Sequence, residues 1–409
     1  MSNQRTTAVR AAIESDKQHG AVVPPIYLSS NFAFAGFDWK RPYDYTRSGN
    51  PTRDQLSEAI TELEGGHSGV VTSSGMSAVI VVTHLLDAGD LILAAHDCYG
   101  GCHRAFDALS QRGGLSVDYL DFTSPNAVEN IRLRKPKLVW LETPSNPLLR
   151  VTDIEQVSQV CKQIGALLVV DNTFLSPALQ QPLSLGADIV VHSTTKYLNG
   201  HSDVVGGAVV AKDPDIAERI QWWANCLGIT GAPFDSFLTL RGIRTLHARL
   251  GIHEQNTHSV VDLLCQHPAV SEVYYPGLEN HPQHELAKQQ QKGFGGMVSF
   301  ELTGGLQHIR QFVETIQLFS LAESLGGVES LVAHPATMTH ASMTEQARET
   351  AGISSQLLRL SVGLEATEDL LEDLKTALDQ VLQLDQAELN SDPVHRNERD
   401  LVQAYEAAV

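Results

Sequence analysis

Between residues 52 and 211 the chain alternates short, unbroken apolar runs with stretches of helical periodicity, and this alternation limits the fold more than any other feature. The apolar runs lie at 70–72, 91–95, 117–120, 138–142, 167–171, 188–192 and 208–211. Helical stretches occupy 52–64, 76–86, 102–111, 126–133 and 153–164. In the first of these, Leu56, Ile60 and Leu63 recur at helical spacing and Gly65-Gly66 ends the helix. Seven apolar strands separated by helices predict an α/β fold, a mostly parallel seven-stranded sheet covered on both faces. Ligands of such sheets sit beyond the carboxyl ends of the strands.

The pattern then changes. Residues 213–266 read as long helices, with Trp222-Trp223 in the first and Leu238, Leu240 and Leu246 in the next. From Val270 a smaller α+β unit follows, with strands expected at 273–275, 297–302 and 358–361, and Thr367 capping a final helix to about residue 384. The chain therefore divides into an α/β domain over 51–245 and a C-terminal α+β domain over 246–385. Residues 386–409 are polar, contain Asp392-Pro393 and read as a flexible tail.

Charge excludes several roles. Against 48 Asp+Glu there are 29 Lys+Arg, a formal charge of −19, and such a field repels phosphate backbones and anionic lipid. Neither nucleic acid nor a membrane is expected as a partner. The densest basic run (Arg132, Arg134, Lys135, Lys137) has no interleaved aromatics and reads as a solvated helix end. Arg5, Arg10, Glu14 and Asp16 precede no apolar signal segment, and the uncharged run 20–37 is broken by Pro24-Pro25 and Ser29-Ser30-Asn31. Five cysteines, few and odd in number, suit a reduced, cytoplasmic protein. His96, Cys98, Cys102 and His103 have loosely metal-like spacing, but no second ligand pair is visible and no metal is expected. No H-E-x-x-H, G-x-G-x-x-G, P-loop or G-x-S-x-G sequence occurs, so a nicotinamide dehydrogenase lacks its phosphate loop.

The strand ends carry the chemistry. The run 167–171 finishes on Asp171, and the run 188–192 leads into Ser193-Thr194-Thr195-Lys196. The run 70–72 leads into Ser73-Ser74-Gly75-Met76 at a helix start, where free N–H groups and the helix dipole suit an anion. The run 91–95 leads to Tyr99 beside Gly100-Gly101. Alone, Asp171 reads as a helix cap, Lys196 as a surface lysine and Tyr99 as core. Together they form an anion cradle, an aromatic platform, a carboxylate and an amine at one sheet edge. Pyridoxal phosphate needs that set: an amine for its aldehyde, a carboxylate to keep its pyridine nitrogen protonated and N–H groups for its phosphate. A non-enzymatic α/β binding protein is the alternative of a different class.

The stretch D-I-V-V-H-S-T-T-K-Y-L-N-G-H-S-D (188–203) resembles the cofactor-attachment signature of the Cys/Met-metabolism family of pyridoxal-phosphate enzymes, of the aspartate-aminotransferase fold type (transferase fold type I). Further blocks agree: V-V-P-P-I-Y-L-S-S (22–30), Y-T-R-S-G-N-P-T-R (45–53), H-D-C-Y-G-G (96–101), E-T-P-S-N-P (142–147), V-V-D-N-T-F (169–174), A-E-S-L-G-G-V-E-S-L (322–331) and L-R-L-S-V-G-L-E (358–365). Within the family, C-Y-G-G-x-x-R-x-F-D, W-W-A-N and L-S-L-G-A-D are most similar to the bacterial cystathionine γ-synthase branch.

This resemblance implies roles. Lys196 holds the cofactor and shuttles protons, Asp171 pairs with the pyridinium, and Tyr99 stacks on the ring and helps deprotonate the incoming amine. Gly75, Met76, Ser193 and Thr195 hold the phosphate. Tyr45 and Arg47 complete the phosphate site of a neighbouring subunit, making residues 1–50 an exchanged arm and the assembly a homotetramer of active dimers. Asn146 lies near the cofactor oxygen and the substrate carboxylate, which Arg359 and Ser324 grip. Glu323 and Arg104 resemble the residues that receive the amine of cysteine and a distal carboxylate. The implied activity is γ-replacement on O-succinyl-L-homoserine by L-cysteine. Cystathionine γ-lyase shares A-E-S-L-G-G, and O-acylhomoserine sulfhydrylase remains an alternative. Methionine γ-lyase is disfavoured, since it typically has a cysteine at Gly101 and a valine at Glu323.

Overall fold

The computed structural model describes residues 3–341 and 343–391, with side chains through residue 384. All seven apolar runs form strands: β1 (Ser68–Thr72), β2 (Leu91–Ala95), β3 (Ser116–Leu120), β4 (Leu138–Glu142), β5 (Leu167–Asp171), β6 (Ile189–Ser193) and β7 (Gly207–Ala211). They make one sheet in the order β1-β7-β6-β5-β4-β2-β3. Strands β3, β2, β4, β5 and β6 run parallel, whereas β7 is antiparallel to both β6 and β1. The exception goes with the connection: residues 194–206 hold turns but no crossover helix, the element that usually carries a parallel return. Every residue of β4 and β7 is buried, as helices on both faces require. Beneath them Phe106 meets Trp140 edge-on, ring centroids 5.4 Å apart.

The second sheet has five strands in the order β10-β11-β12-β9-β8: β8 (Val270–Tyr274), β9 (Met297–Leu302), β10 (Ser320–Leu321), β11 (Leu331–Ala333) and β12 (Leu357–Ser361). Strands β10 and β11 were not expected, because runs of two and three residues show no periodicity. Strand β8 starts earlier than expected because Ser271 and Glu272 face solvent and interrupt its apolar character. Phe300 and Phe312 (centroids 5.6 Å) anchor a separate core with Val260, Leu360 and Leu374. The final helix spans Thr367–Ser391, so residues 386–391 are helical rather than the start of a loose tail. The remainder of that expected tail lies outside the described residues.

The N-terminal segment has two parts. The helix Gln4–Arg10 is docked, with Gln4 Nε2 donating to the carbonyls of Leu63 (2.9 Å) and Pro177 (3.0 Å). Residues 15–50 then run without a helix or named strand, exposing Leu28, Phe34, Phe37 and Trp39. Among the described residues no helix is long and apolar enough to cross a membrane.

Asn50 fastens this segment to the first domain. Its Oδ1 accepts from the N–H groups of Thr52 (3.0 Å) and Arg53 (3.3 Å), capping the helix Pro51–Glu64. Its Nδ2 donates to the Tyr27 carbonyl (2.9 Å) and the Thr46 hydroxyl (3.3 Å). Asn50→Ala should cost about 2 kcal/mol, read as a lower urea midpoint. Asn50→Asp keeps the cap, loses both donors and should fall between; an unchanged midpoint for the alanine variant would show that the cap holds nothing.

Candidate active site

The parallel strands point their carboxyl ends at one cavity of about 390 Å3. Eleven of the residues singled out in the sequence line it: Gly75, Met76, Tyr99, Asn146, Asp171, Ser193, Thr195, Lys196, Glu323, Ser324 and Arg359. Three do not. Tyr45 is exposed, Arg47 Nη1 donates to the backbone and side-chain oxygens of Asn225 (both 2.8 Å), and Arg104 lies on the exposed face of the helix Gly100–Gln111.

At the cavity's anion end, Ser74 caps the helix Gly75–Thr83, its side chain accepting from Ser77 N–H at 3.0 Å. A Cβ on Gly75 would lie 2.9 Å from Ser193 Cβ, so only glycine leaves the helix start open beside the Ser193 hydroxyl. The Thr195 hydroxyl is fixed by Gly206, accepting from its N–H at 3.0 Å. Tyr99 precedes the next helix, its ring lying against Gly101, where an added Cβ would be 2.5 Å from Tyr99 Cε1 and 3.0 Å from Met76 Sδ.

Two carboxyls stand side by side, because β4 and β5 pair Glu142 with Asp171. Burial pushes Glu142 well above the carboxylate range, and the neighbouring Asp171 charge pushes it further. Burial raises Asp171 too, opposed by hydrogen bonds from Thr173, whose N–H donates at 3.0 Å. Glu142 in turn accepts from Tyr99 N–H at 2.8 Å, which opposes its upward shift. Burial also raises the Tyr99 phenol, with Glu323 acting the same way and Arg104 opposing it.

Across the cavity Ser324 joins two cations. Lys196 Nζ donates to the Ser324 hydroxyl at 2.6 Å, and Arg359 Nη2 donates to the Ser324 carbonyl at 2.8 Å. Arg359 Nη1 donates to Asn146 Oδ1 at 2.8 Å, while its Nε is buried without a partner. Among the described residues Arg359 has no ion pair, although it is only 2% exposed. Burial lowers Lys196 to about 8, and the Arg359 charge contributes.

These groups fit pyridoxal phosphate: a helix N-terminus opened by Gly75 for an anion, a half-exposed ring, a buried carboxyl at a strand end and an amine that loses its proton readily. Comparison with known proteins agrees. Residues 5–379 match the model of the Cys/Met metabolism PLP-dependent enzyme family. The chain belongs to this family. It is 54% identical to a cystathionine gamma-synthase of Escherichia coli K12 over 91% of this chain and 97% of that one. It is also 47% identical to a cystathionine beta-lyase of Lactococcus lactis subsp. cremoris, over 93% and 100%. Among solved structures, a cystathionine gamma synthase from Xanthomonas oryzae pv. oryzae, in complex with aminoacrylate and cysteine, matches with a TM-score of 0.93 and 58% identity, covering 94% of this chain and 99% of that one. The family is one of cofactor-dependent enzymes, which displaces the non-enzymatic reading.

Sequence reasoning gave no role to Glu142, Thr339 or Asn225. Glu142 was accessible to the strand-end rule that found Asp171. Thr339 lies on a loop after β11, where no strand tip points to it.

For Lys196 the sign is simple: the neutral amine is the nucleophile, so the cofactor-free enzyme should recombine with pyridoxal phosphate faster as pH rises through about 8. Arg359→Ala removes a cation and should move that midpoint upward in stopped-flow absorbance. A wild-type midpoint close to the ordinary lysine value would contradict the desolvated environment.

Proposed function

We propose that the enzyme catalyses γ-replacement: O-succinyl-L-homoserine and L-cysteine give L-cystathionine and succinate. The observation that carries this reading is the Ser324 bridge, which ties the amine of Lys196 (2.6 Å) to the guanidinium of Arg359 (2.8 Å). A substrate with its α-carboxylate on Arg359 and Asn146 then presents Cα and Cβ to Lys196 Nζ. When bound, pyridoxal phosphate supplies the electron sink that makes the Cα–H and Cβ–H bonds acidic. Lys196, freed by the incoming amino group, takes the Cα proton, gives it up within the site and then takes a Cβ proton, so that it carries one proton at a time. The Cγ–O bond breaks and succinate leaves with the bonding electrons; the cysteine thiol releases its proton to water and its sulfur forms the new bond to Cγ. Protons return to Cβ and Cα from the same lysine.

Charges at the rim support the choice of substrates. Glu323, in the cavity lining, and Arg104, outside it, both act on the Tyr99 phenol with opposite signs, so an anion and a cation lie near that ring. Arg104 receives the distal carboxylate of the succinyl group, and Glu323 the ammonium of cysteine. Similarity to γ-synthases at 54% and 58% identity supports this reading over β-lyase chemistry, for which the relative above is 47% identical.

The active unit in this reading is a dimer within a cytoplasmic homotetramer. Tyr45 and Arg47 stand away from the chain's own cavity, and the exposed Phe37 and Trp39 of the same segment suit a surface covered by a second copy. Mixing Arg47→Ala with Lys196→Ala chains should then restore activity, because a hybrid dimer regenerates one intact site; no recovery would mean that each chain builds its own.

A side-by-side assay decides among activities. Succinyl-homoserine with cysteine should turn over faster than succinyl-homoserine with sulfide, and faster than cystathionine alone. Dominant use of sulfide would make the enzyme a sulfhydrylase, and dominant cleavage of cystathionine a γ- or β-lyase, according to which bond breaks. Arg359→Ala should lower kcat/KM by roughly a hundredfold or more, since the Cα–H bond loses its alignment. Arg104→Ala should raise KM for the succinyl ester more than it lowers kcat.

A further inference from the structure

Two loops after different strands bring residues to the cavity: residues 96–99 lead to Tyr99, and residues 143–150 carry Asn146. Two carboxylates join them: Glu142, at the tip of β4, accepts from the backbone N–H groups of both Tyr99 and Asn146, and Asp97 ties the loops together farther from the cavity. Asp97 is 4% exposed, and its Oδ2 accepts from the Ser145 hydroxyl at 2.7 Å and from Arg150 Nη1 at 3.1 Å. Arg150 Nη1 also donates to His96 Nε2 at 3.0 Å, which leaves the imidazole proton on Nδ1, the atom 3.7 Å from Asp97 Oδ1. The second loop is closed on itself: Ser145 N–H donates to the Arg150 carbonyl at 3.0 Å, and Leu149 N–H donates to the Ser145 carbonyl at 2.9 Å. It therefore moves as a unit, and Asp97 grips that unit at two points.

Neither Asp97 nor Arg150 lines the catalytic cavity. Their bond nevertheless adjoins two residues that do, Tyr99 and Asn146. Asp97 stands two residues before Tyr99, whose own N–H is tied to Glu142 at 2.8 Å. Ser145 adjoins Asn146, whose Oδ1 receives Arg359 Nη1 at 2.8 Å. Asn146 is held from a further side as well, accepting through its carbonyl from His340 Nε2 at 3.1 Å. A buried charge held by donors from one partner loop is costly to isolate and tolerates little displacement.

We propose that Asp97 is a positioning residue that fixes the distance between Tyr99 and the Asn146–Arg359 clamp, with Arg150 and Ser145 as its fasteners. This rests on the roles given above to Tyr99, at the cofactor ring, and Arg359, at the substrate carboxylate. When the link is cut, the Glu142 contact alone still ties the ring platform to the carboxylate clamp, their spacing loosens, and the Cα–H bond is presented at the wrong angle.

The test uses holoenzyme carrying Asp97→Asn, Arg150→Gln, both together, Arg150→Lys and the milder Ser145→Ala. Each is measured for kcat, KM, thermal midpoint and the visible circular dichroism of the bound cofactor, which reports how its ring is held. Asp97→Asn and Arg150→Gln should each lower kcat/KM on the order of tenfold or more, raise KM and weaken the dichroic band. The double variant should be no worse than the poorer single variant, because both cut one link. Arg150→Lys should recover part of the loss, and Ser145→Ala should change the band in the same direction even if the other variants do not fold. An unchanged dichroic band, or losses that multiply in the double variant, would overturn the proposal. Lower melting temperatures with unaltered kinetics would reduce the pair to a structural brace and overturn it as well. Arg359→Ala serves as the control: if it leaves KM unchanged, the carboxylate assignment itself has failed, independently of Asp97.

Discussion

A guanidinium buried to 2% exposure without a paired carboxylate governs the electrostatics of this site. Arg359 is held by two neutral oxygens, Asn146 Oδ1 and the Ser324 carbonyl, each at 2.8 Å. Desolvating a cation without a counter-charge is expensive, and here burial pulls Arg359 down to about 10. The same charge acts on Lys196 and, added to burial, lowers it to about 8. Among the described residues this cation has no ion-pair partner, so an anion entering the cavity would meet an uncompensated charge, and the neighbouring amine is easy to deprotonate.

The fold makes that arrangement possible by bringing two sheets together. Arg359 comes from β12 of the smaller sheet, Asn146 from the loop after β4 and Lys196 from the turn after β6. Ser324 connects them in a left-handed backbone conformation, φ 91°, which is costly for a residue with a Cβ and aims its hydroxyl and carbonyl at two different cations. Opposite, the paired strand ends of β4 and β5 set Glu142 beside Asp171; burial raises both carboxyls, and the Asp171 charge raises Glu142 further. Positive and negative groups are thereby separated across one cavity.

The large sheet was legible because buried parallel strands write themselves as uninterrupted apolar runs, and the strand-end rule leads from them to Asp171, Lys196, Gly75 and Tyr99. Arg359 and Ser324 carry no comparable local signal. They lie far along the chain from Lys196, on a sheet whose strands β10 and β11 span only two and three residues, and they entered through the motif blocks at 322–331 and 358–365. Glu142 sat in plain sight at a strand end; what the sequence hid was its pairing with Asp171, which depends on strand order. The helix that continues to Ser391 was obscured by its polar composition. Asp97 shows the same limit, since its partners Ser145 and Arg150 lie 48 and 53 residues away.

The central claim is that catalysis is organised around Lys196, at the point where the two sheets meet. Borohydride reduction of the holoenzyme, followed by peptide mapping, tests it most directly. The account predicts one phosphopyridoxyl group per chain, on the peptide containing Lys196. Recovery of the label on any other lysine would contradict it.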